Sequence, residues 1–175
     1  MYNTISFRLY EENFYCLWFT DESDKDQFLT SYEGVVSFLN CRELSKFVSE
    51  KKLNVAPDKT FYDVNVAINW IAENDSNVDC EYFLALWNIT TDLAYSVSVD
   101  FLGDSASELT RQIYDKLFWG NNLPAIRCDG EIFTPQWSPE EIHEIQMIVS
   151  DSIDIIKSIF LAVDFKNPIP GKAEA

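Results

Sequence analysis

Glu73, Asp75, Asp79 and Glu81 place four carboxylates within nine positions, and converging carboxylates supply the hard oxygen donors that Mg2+ and Ca2+ take. The run lacks the alternating acids, turn glycine and terminal Glu of a calcium-binding EF-hand loop. Its simplest expectation is a solvated loop, followed by contact with Lys or Arg of a partner. A nuclease would set basic residues for phosphate beside its acidic metal ligands, and no Lys or Arg accompanies these.

The single histidine, His143, is followed by Glu144. An acid at i+1 points away from it on a helix and leaves it without the oriented partner that proton transfer needs. Cys16, Cys41, Cys80 and Cys128 are separated by 25, 39 and 48 positions, which matches no CxxC redox or zinc motif and predicts buried free thiols. Gly103, before Asp104 and Ser105, has neither a phosphate-loop Lys nor a dinucleotide GxGxxG beside it and reads as a turn. Asn88, Ile89 and Thr90 form a glycosylation sequon inside an expected helix. With no GxSxG or HExxH either, no catalytic residue, metal or cofactor is expected. The rival from the enzyme class is a small carboxylate-dependent metal hydrolase.

Charge points to binding instead. Between Lys59 and Arg111 the chain runs 51 residues without Lys or Arg while carrying nine carboxylates: Asp63, Glu73, Asp75, Asp79, Glu81, Asp92, Asp100, Asp104 and Glu108. Between Arg127 and Lys157 come Asp129, Glu131, Glu140, Glu141, Glu144, Asp151 and Asp154. The net charge of −16 is therefore regional, repels nucleic acid, and suits a cationic partner, although solubility is served by it too. A generic acidic adaptor or nucleic-acid mimic is a further reading of the same charge.

The elements that must position these acids follow from periodicity and caps. At 175 residues with 47% apolar content the chain can bury one core. Residues 1–165 are expected as a single domain and 166–175 as a flexible tail. Tyr2 to Tyr10 and Phe14 to Thr20 read as an antiparallel hairpin, followed by a loop over 21–27 and an extended piece around Val35 to Leu39. That predicts an N-terminal antiparallel sheet of about three strands. Asn40 with Glu43, Thr60 with Asp63, Ser76 with Asp79, and Ser105 with Glu108 have capping spacing for four helices. These end near Leu53, Asn74 and Tyr95 and at Gly120, where a left-handed glycine would stop the fourth.

A short hairpin is expected around Asp129 and Gly130, between Ala125 and Thr134. Ser138, Pro139 and Glu141 combine cap, first-turn Pro and reciprocal acid. They open a final helix to about Val163, along which Ile142, Ile145, Val149, Ile153, Ile156 and Phe160 make an apolar seam. Glu140, Glu144, Met147, Asp151, Asp154 and Ser158 fall on another face, which is either solvated or partner-facing. The fold class is α+β, with the sheet packed against several helices. No basic segment precedes an apolar one at Met1, and polar residues interrupt every apolar stretch before the roughly 18 residues a membrane span needs. A cytoplasmic protein without membrane contact is expected.

Lys116 to Pro124, with Leu86, Trp87, Asn88 and Asp92 upstream and Thr134, Pro135, Trp137, Ser138, Pro139 and Glu140 downstream, resembles immunity proteins of bacterial contact-dependent growth inhibition and related polymorphic toxin systems. The resemblance covers residues 80–163. It implies a cytosolic protein, not an enzyme, that binds the C-terminal toxin domain of a cognate effector and blocks it. Such toxins are often nucleases acting on tRNA or DNA. The acidic surface fits a nuclease's basic groove. The carboxylates ranked for toxin contact are Glu73, Asp75, Asp79 and Glu81, then Asp100 and Asp104, with Glu140, Glu144, Asp151 and Asp154 as the alternative face.

Overall fold

In the computed structural model, which describes residues 1–124 and 132–161, Tyr2–Leu9 (β1) and Glu12–Thr20 (β2) pair antiparallel with Phe7 opposite Phe14 and Ile5 opposite Cys16. Alternation puts Ile5, Phe7, Leu9, Phe14 and Cys16 on one face, and all five are buried. Short strands follow at Asp26–Phe28 (β3), Thr30–Ser31 (β4), Gly34–Val35 (β5) and Ser37–Phe38 (β6). Both β3 and β6 pair antiparallel with β2, while β4 and β5 form a separate ribbon.

Helix α1 (Cys41–Lys51) then carries the chain to β7 (Val55–Asp63), which lies parallel to β1. The sheet is therefore five-stranded and mixed rather than a three-stranded antiparallel one. A parallel neighbour needs a crossover, and α1 supplies it. Thr60, expected at a helix start, lies inside β7, and the next helix begins only after Asp63. Exposed Pro57, Asp58, Lys59 and Thr60 give this edge strand little apolar alternation to read.

The remaining helices are α2 (Val64–Glu73), α3 (Cys80–Val97), α4 (Glu108–Gly120) and α5 (Pro139–Phe160), with a 3-10 turn at Leu102–Asp104. The α+β class holds, with a long C-terminal helix. Asn40, Asp79, Ser107 and Ser138 accept from the N–H groups of Glu43, Tyr82, Thr110 and Glu141, satisfying donors that open each helix. The third and fourth caps are thus Asp79 and Ser107, inside the spans expected from Ser76 and Ser105.

Gly120 is still helical, and Asn122, at φ 55, takes the left-handed position instead. The glycine is required for space, since a Cβ there would lie 2.4 Å from Cys80 Sγ. Asn122 donates to Phe133 O (3.1 Å) and accepts from Phe133 N–H (2.9 Å), joining the end of α4 to the segment that leads into α5. The hairpin expected there, the helix extension to Val163 and the 166–175 tail lie outside the described residues. Among the described residues no helix is long and apolar enough to cross a membrane.

One sheet face packs on α2–α5. Phe7 and Phe14 meet Phe160 of α5 at ring separations of 5.2 and 5.0 Å, and Ile113, Leu117, Ile145 and Ile156 fill in behind. On the opposite face α1 packs over β2 and β6, with Leu17 and Leu44 buried and Phe38 against Phe47. Cys16 and Cys80 are buried free thiols as expected. Cys41 is only half-buried, with the Lys59 amine 3.5 Å from its sulfur, and Cys128 lies outside the described residues.

Lys116 explains much of the motif around residues 116–141. Its amine binds the Glu141 carboxylate, donates to Gln136 O (2.9 Å) and lies 5.5 Å over the Trp137 ring, joining α4 to the start of α5. Glu141 is 7% exposed and also accepts from Ser138 N–H, completing a capping box. Burial alone would raise its carboxyl, but the bonds from Lys116 and Ser138 outweigh that and hold it below the ordinary glutamate value.

A depressed folded-state pKa gives stability that is present above the unfolded value, near 4.3, and lost as pH falls through the folded one. Glu141→Gln is expected to cost about 1.5–3 kcal/mol at pH 7, with the gap to wild type closing toward pH 3. Urea midpoints at the two pH values measure it, and a gap independent of pH would contradict the assignment.

Candidate partner-binding surface

Each acidic cluster meets a different fate in the fold. Asp79 caps α3, and Asp75 accepts from Asn77 N–H (2.9 Å), so two of the four acids between 73 and 81 serve local backbone. Glu73 and Glu81 are exposed. Asn74, left-handed at φ 50, accepts from Gln146 and ties this loop to α5. Among the described residues no three His, Cys, Asp or Glu side chains group as a metal site. On α5, Asp151 accepts from Leu102 N–H (2.8 Å) and Glu144 from the Thr110 hydroxyl (3.4 Å), holding the 3-10 turn and α4. Glu140, Asp154 and His143 face solvent.

A third group comes together along the flank of α3. Asp92 accepts from the indole N–H of Trp18 on β2 (2.8 Å). One turn on, Ser96 donates to Asp92 O and accepts from Phe28 N–H (2.7 Å), which docks β3 against α3. Asp26 of β3, bonded by the Thr20 hydroxyl, is thereby brought alongside. From the other side Thr91 donates to Asp104 of the 3-10 turn (2.8 Å).

Burial raises the Asp92 carboxyl above its ordinary value, the Trp18 bond opposes that rise, and the charges of Asp26 and Asp104 add to it. Tyr62 is raised by burial and then by Asp92. Asn88, Thr91, Asp92 and Tyr95 share this helical stripe by spacing. Tyr95 is 53% exposed, and Asn88 accepts from the Tyr114 hydroxyl (2.9 Å), extending the surface to α4. Asp100 is exposed in the loop before the 3-10 turn. Position along the chain could not reveal this grouping, since Asp26 is far from Asp92 in sequence.

Beside this flank lies an open cleft of about 200 Å³ between α3, the 3-10 turn and α4. By contrast the space among α3, α4 and α5 is only about 10 Å³, room for about one water at most. The cleft is lined by Trp87, Gly103, Ser105, Tyr114, Arg111 and Asp115, and Arg111 is paired with Glu108 at 2.7 Å.

A half-buried carboxylate beside two others is a destabilising charge at neutral pH. A raised folded-state pKa means that relative stability is greatest below the unfolded value and is lost as pH rises through the folded one. Asp92→Asn, which keeps an oxygen for Trp18, is therefore expected to raise the melting temperature at pH 7 and to lose that advantage toward pH 3. Calorimetry at both values decides it. A variant less stable than wild type at pH 7 would show that Trp18 needs the charge. Comparison of the chain with protein-family models, characterised proteins and solved structures finds no match.

Proposed function

We propose that this chain is a cytoplasmic immunity-type inhibitor that binds the toxin domain of a cognate effector, a nuclease with a basic groove, through the acidic flank of α3. The observation that carries the reading is the placing of Asp26, Asp92 and Asp104 along one flank of α3, through the bonds of Phe28 to Ser96, Trp18 to Asp92 and Thr91 to Asp104, with Asp92 half-buried there. A charge cluster that works against the fold is a local conflict of the kind that concentrates at functional sites. A positively charged groove is the natural complement. Asp100 and exposed Tyr95 extend the same face, and aromatic side chains serve as anchors where charge alone gives rate rather than affinity.

Inhibition would be stoichiometric and need no cofactor. Steering would come from the regional charge, and a stable complex would bury on the order of 1,600 Å² in total. The test is co-purification with the toxin domain encoded beside this gene, followed by titration of that domain's nuclease activity. Neutralisation is expected near one-to-one and not with an unrelated toxin. Full activity in the presence of excess inhibitor, with no complex, would overturn the reading.

A further inference from the structure

We propose that the cleft between α3, the 3-10 turn and α4 is a recognition pocket for a primary carboxamide, the end of an Asn or Gln side chain on the protein partner. The occupant's source rests on the inhibitor reading above, whereas its chemistry rests on the cleft. Trp87 is 5% exposed, and its indole N–H has no hydrogen-bond acceptor among the described residues. No fully enclosed side-chain nitrogen or oxygen there lacks a partner, so this donor opens into the cleft it lines. Gly103 keeps the approach clear. A Cβ at that position would sit 2.7 Å from Trp87 Nε1 and 2.4 Å from the Phe101 ring, so another residue would crowd the donor.

Elimination fixes the ligand class. The volume, about 200 Å³, is below the roughly 300–1,000 Å³ of pockets for small molecules and cofactors and suits a single side chain. Lys and Arg have no acceptor to offer Trp87. A carboxylate accepts, but Asp115 lines the same cleft and Asp104 lies in the adjoining turn, while Arg111 is already engaged by Glu108. An apolar group would strip water from the indole N–H and leave it unpaired. A hydroxyl can accept and donate at once but only from a single oxygen, whereas a carboxamide carries its acceptor and its donors on separate atoms and so reaches across the cleft between two groups. Its oxygen can accept from Trp87 while its NH2 donates to Asp115.

Propionamide, which ends as Gln does, is the probe. In 15N-edited spectra of the full chain, the Trp87 indole signal is identified through its contacts with the Phe101 and Tyr114 rings. It is expected to shift saturably with propionamide and not with propionate at equal concentration. Asp115→Ala should weaken the response about fivefold, the loss of one ordinary hydrogen bond. No shift, or an equal response to propionate, overturns the inference.

The toxin domain separates the two proposals. If a neutralising complex forms and the Trp87 signal does not move, the pocket has no role and the inhibitor reading stands. If no complex forms while propionamide still binds, the inhibitor reading falls and the carboxamide chemistry of the cleft stands.

Discussion

Phe7→Ala is expected to destabilise the fold by about 3–5 kcal/mol, the usual cost of removing a fully buried aromatic ring and leaving a cavity. Phe7 has no exposure and stands at the centre of an aromatic cluster, with Phe160 at 5.2 Å, Tyr62 at 5.5 Å and Phe28 at 6.0 Å between centroids. These rings come from β1, β3, β7 and α5, so relaxation of any one element cannot refill the space. For a chain of this size the loss corresponds to a fall in melting temperature of about 6–20 °C. A loss below 1.5 kcal/mol, about that of removing a single buried methyl group, would mean that Phe7 does not join sheet and helix as described. A urea series with unchanged m-value is the direct measurement.

The second large effect concerns association. Reversing Asp26 and Asp104 together to Lys is expected to slow binding of the toxin domain by about 10–100-fold at low ionic strength and to flatten its salt dependence. Asp92 is left in place so that the Trp18 bond on the same flank is untouched. The matched control reverses Glu140 and Asp154, which are exposed on α5, and should change the rate only a few-fold through net charge. Stopped-flow association across a salt series, with melting temperatures taken in parallel, separates the outcomes. Damage by the control pair alone would move the binding face to α5, and damage by neither would remove electrostatic steering from the account.

Legibility differed sharply between the parts of this molecule. Caps such as Asn40 and Ser138 could be read from sequence because an N-cap is settled by a few adjacent residues, whereas the third helix is capped by Asp79, three residues beyond the Ser76 expected. The seam of α5 could be read because an apolar stripe runs along a 22-residue helix. β7 could not, since an exposed edge strand interrupted by Pro57 and a bulge against β1 carries no alternating pattern. Gly120 looked like a helix stop, whereas its reason is the distance to Cys80 across the core.

The acids show the same division. Their regional density is plain in the sequence, but which of them meet depends on Ser96 docking β3 onto α3 and on Thr91 holding the 3-10 turn. Asp75, Asp79, Glu144 and Asp151 look like any other acid in sequence, yet their oxygens are engaged by backbone or hydroxyl donors in the fold. For Trp87, the openness of its N–H depends on a glycine in a later turn, which nothing near it in sequence reveals.

The pairing of Phe7 and Phe14 with Phe160 also sets a schedule for biosynthesis. The aromatic face of the first hairpin is made at the start, and Phe28 and Tyr62 reach Phe7 soon after, but the ring that packs on both Phe7 and Phe14 lies 153 residues beyond Phe7. At about 5–20 residues per second, that interval is roughly 8–30 s. Throughout it the nascent hairpin presents Phe7 and Phe14 to whatever the ribosome exit offers, so chaperone occupancy of this chain should be high early and fall only when α5 emerges.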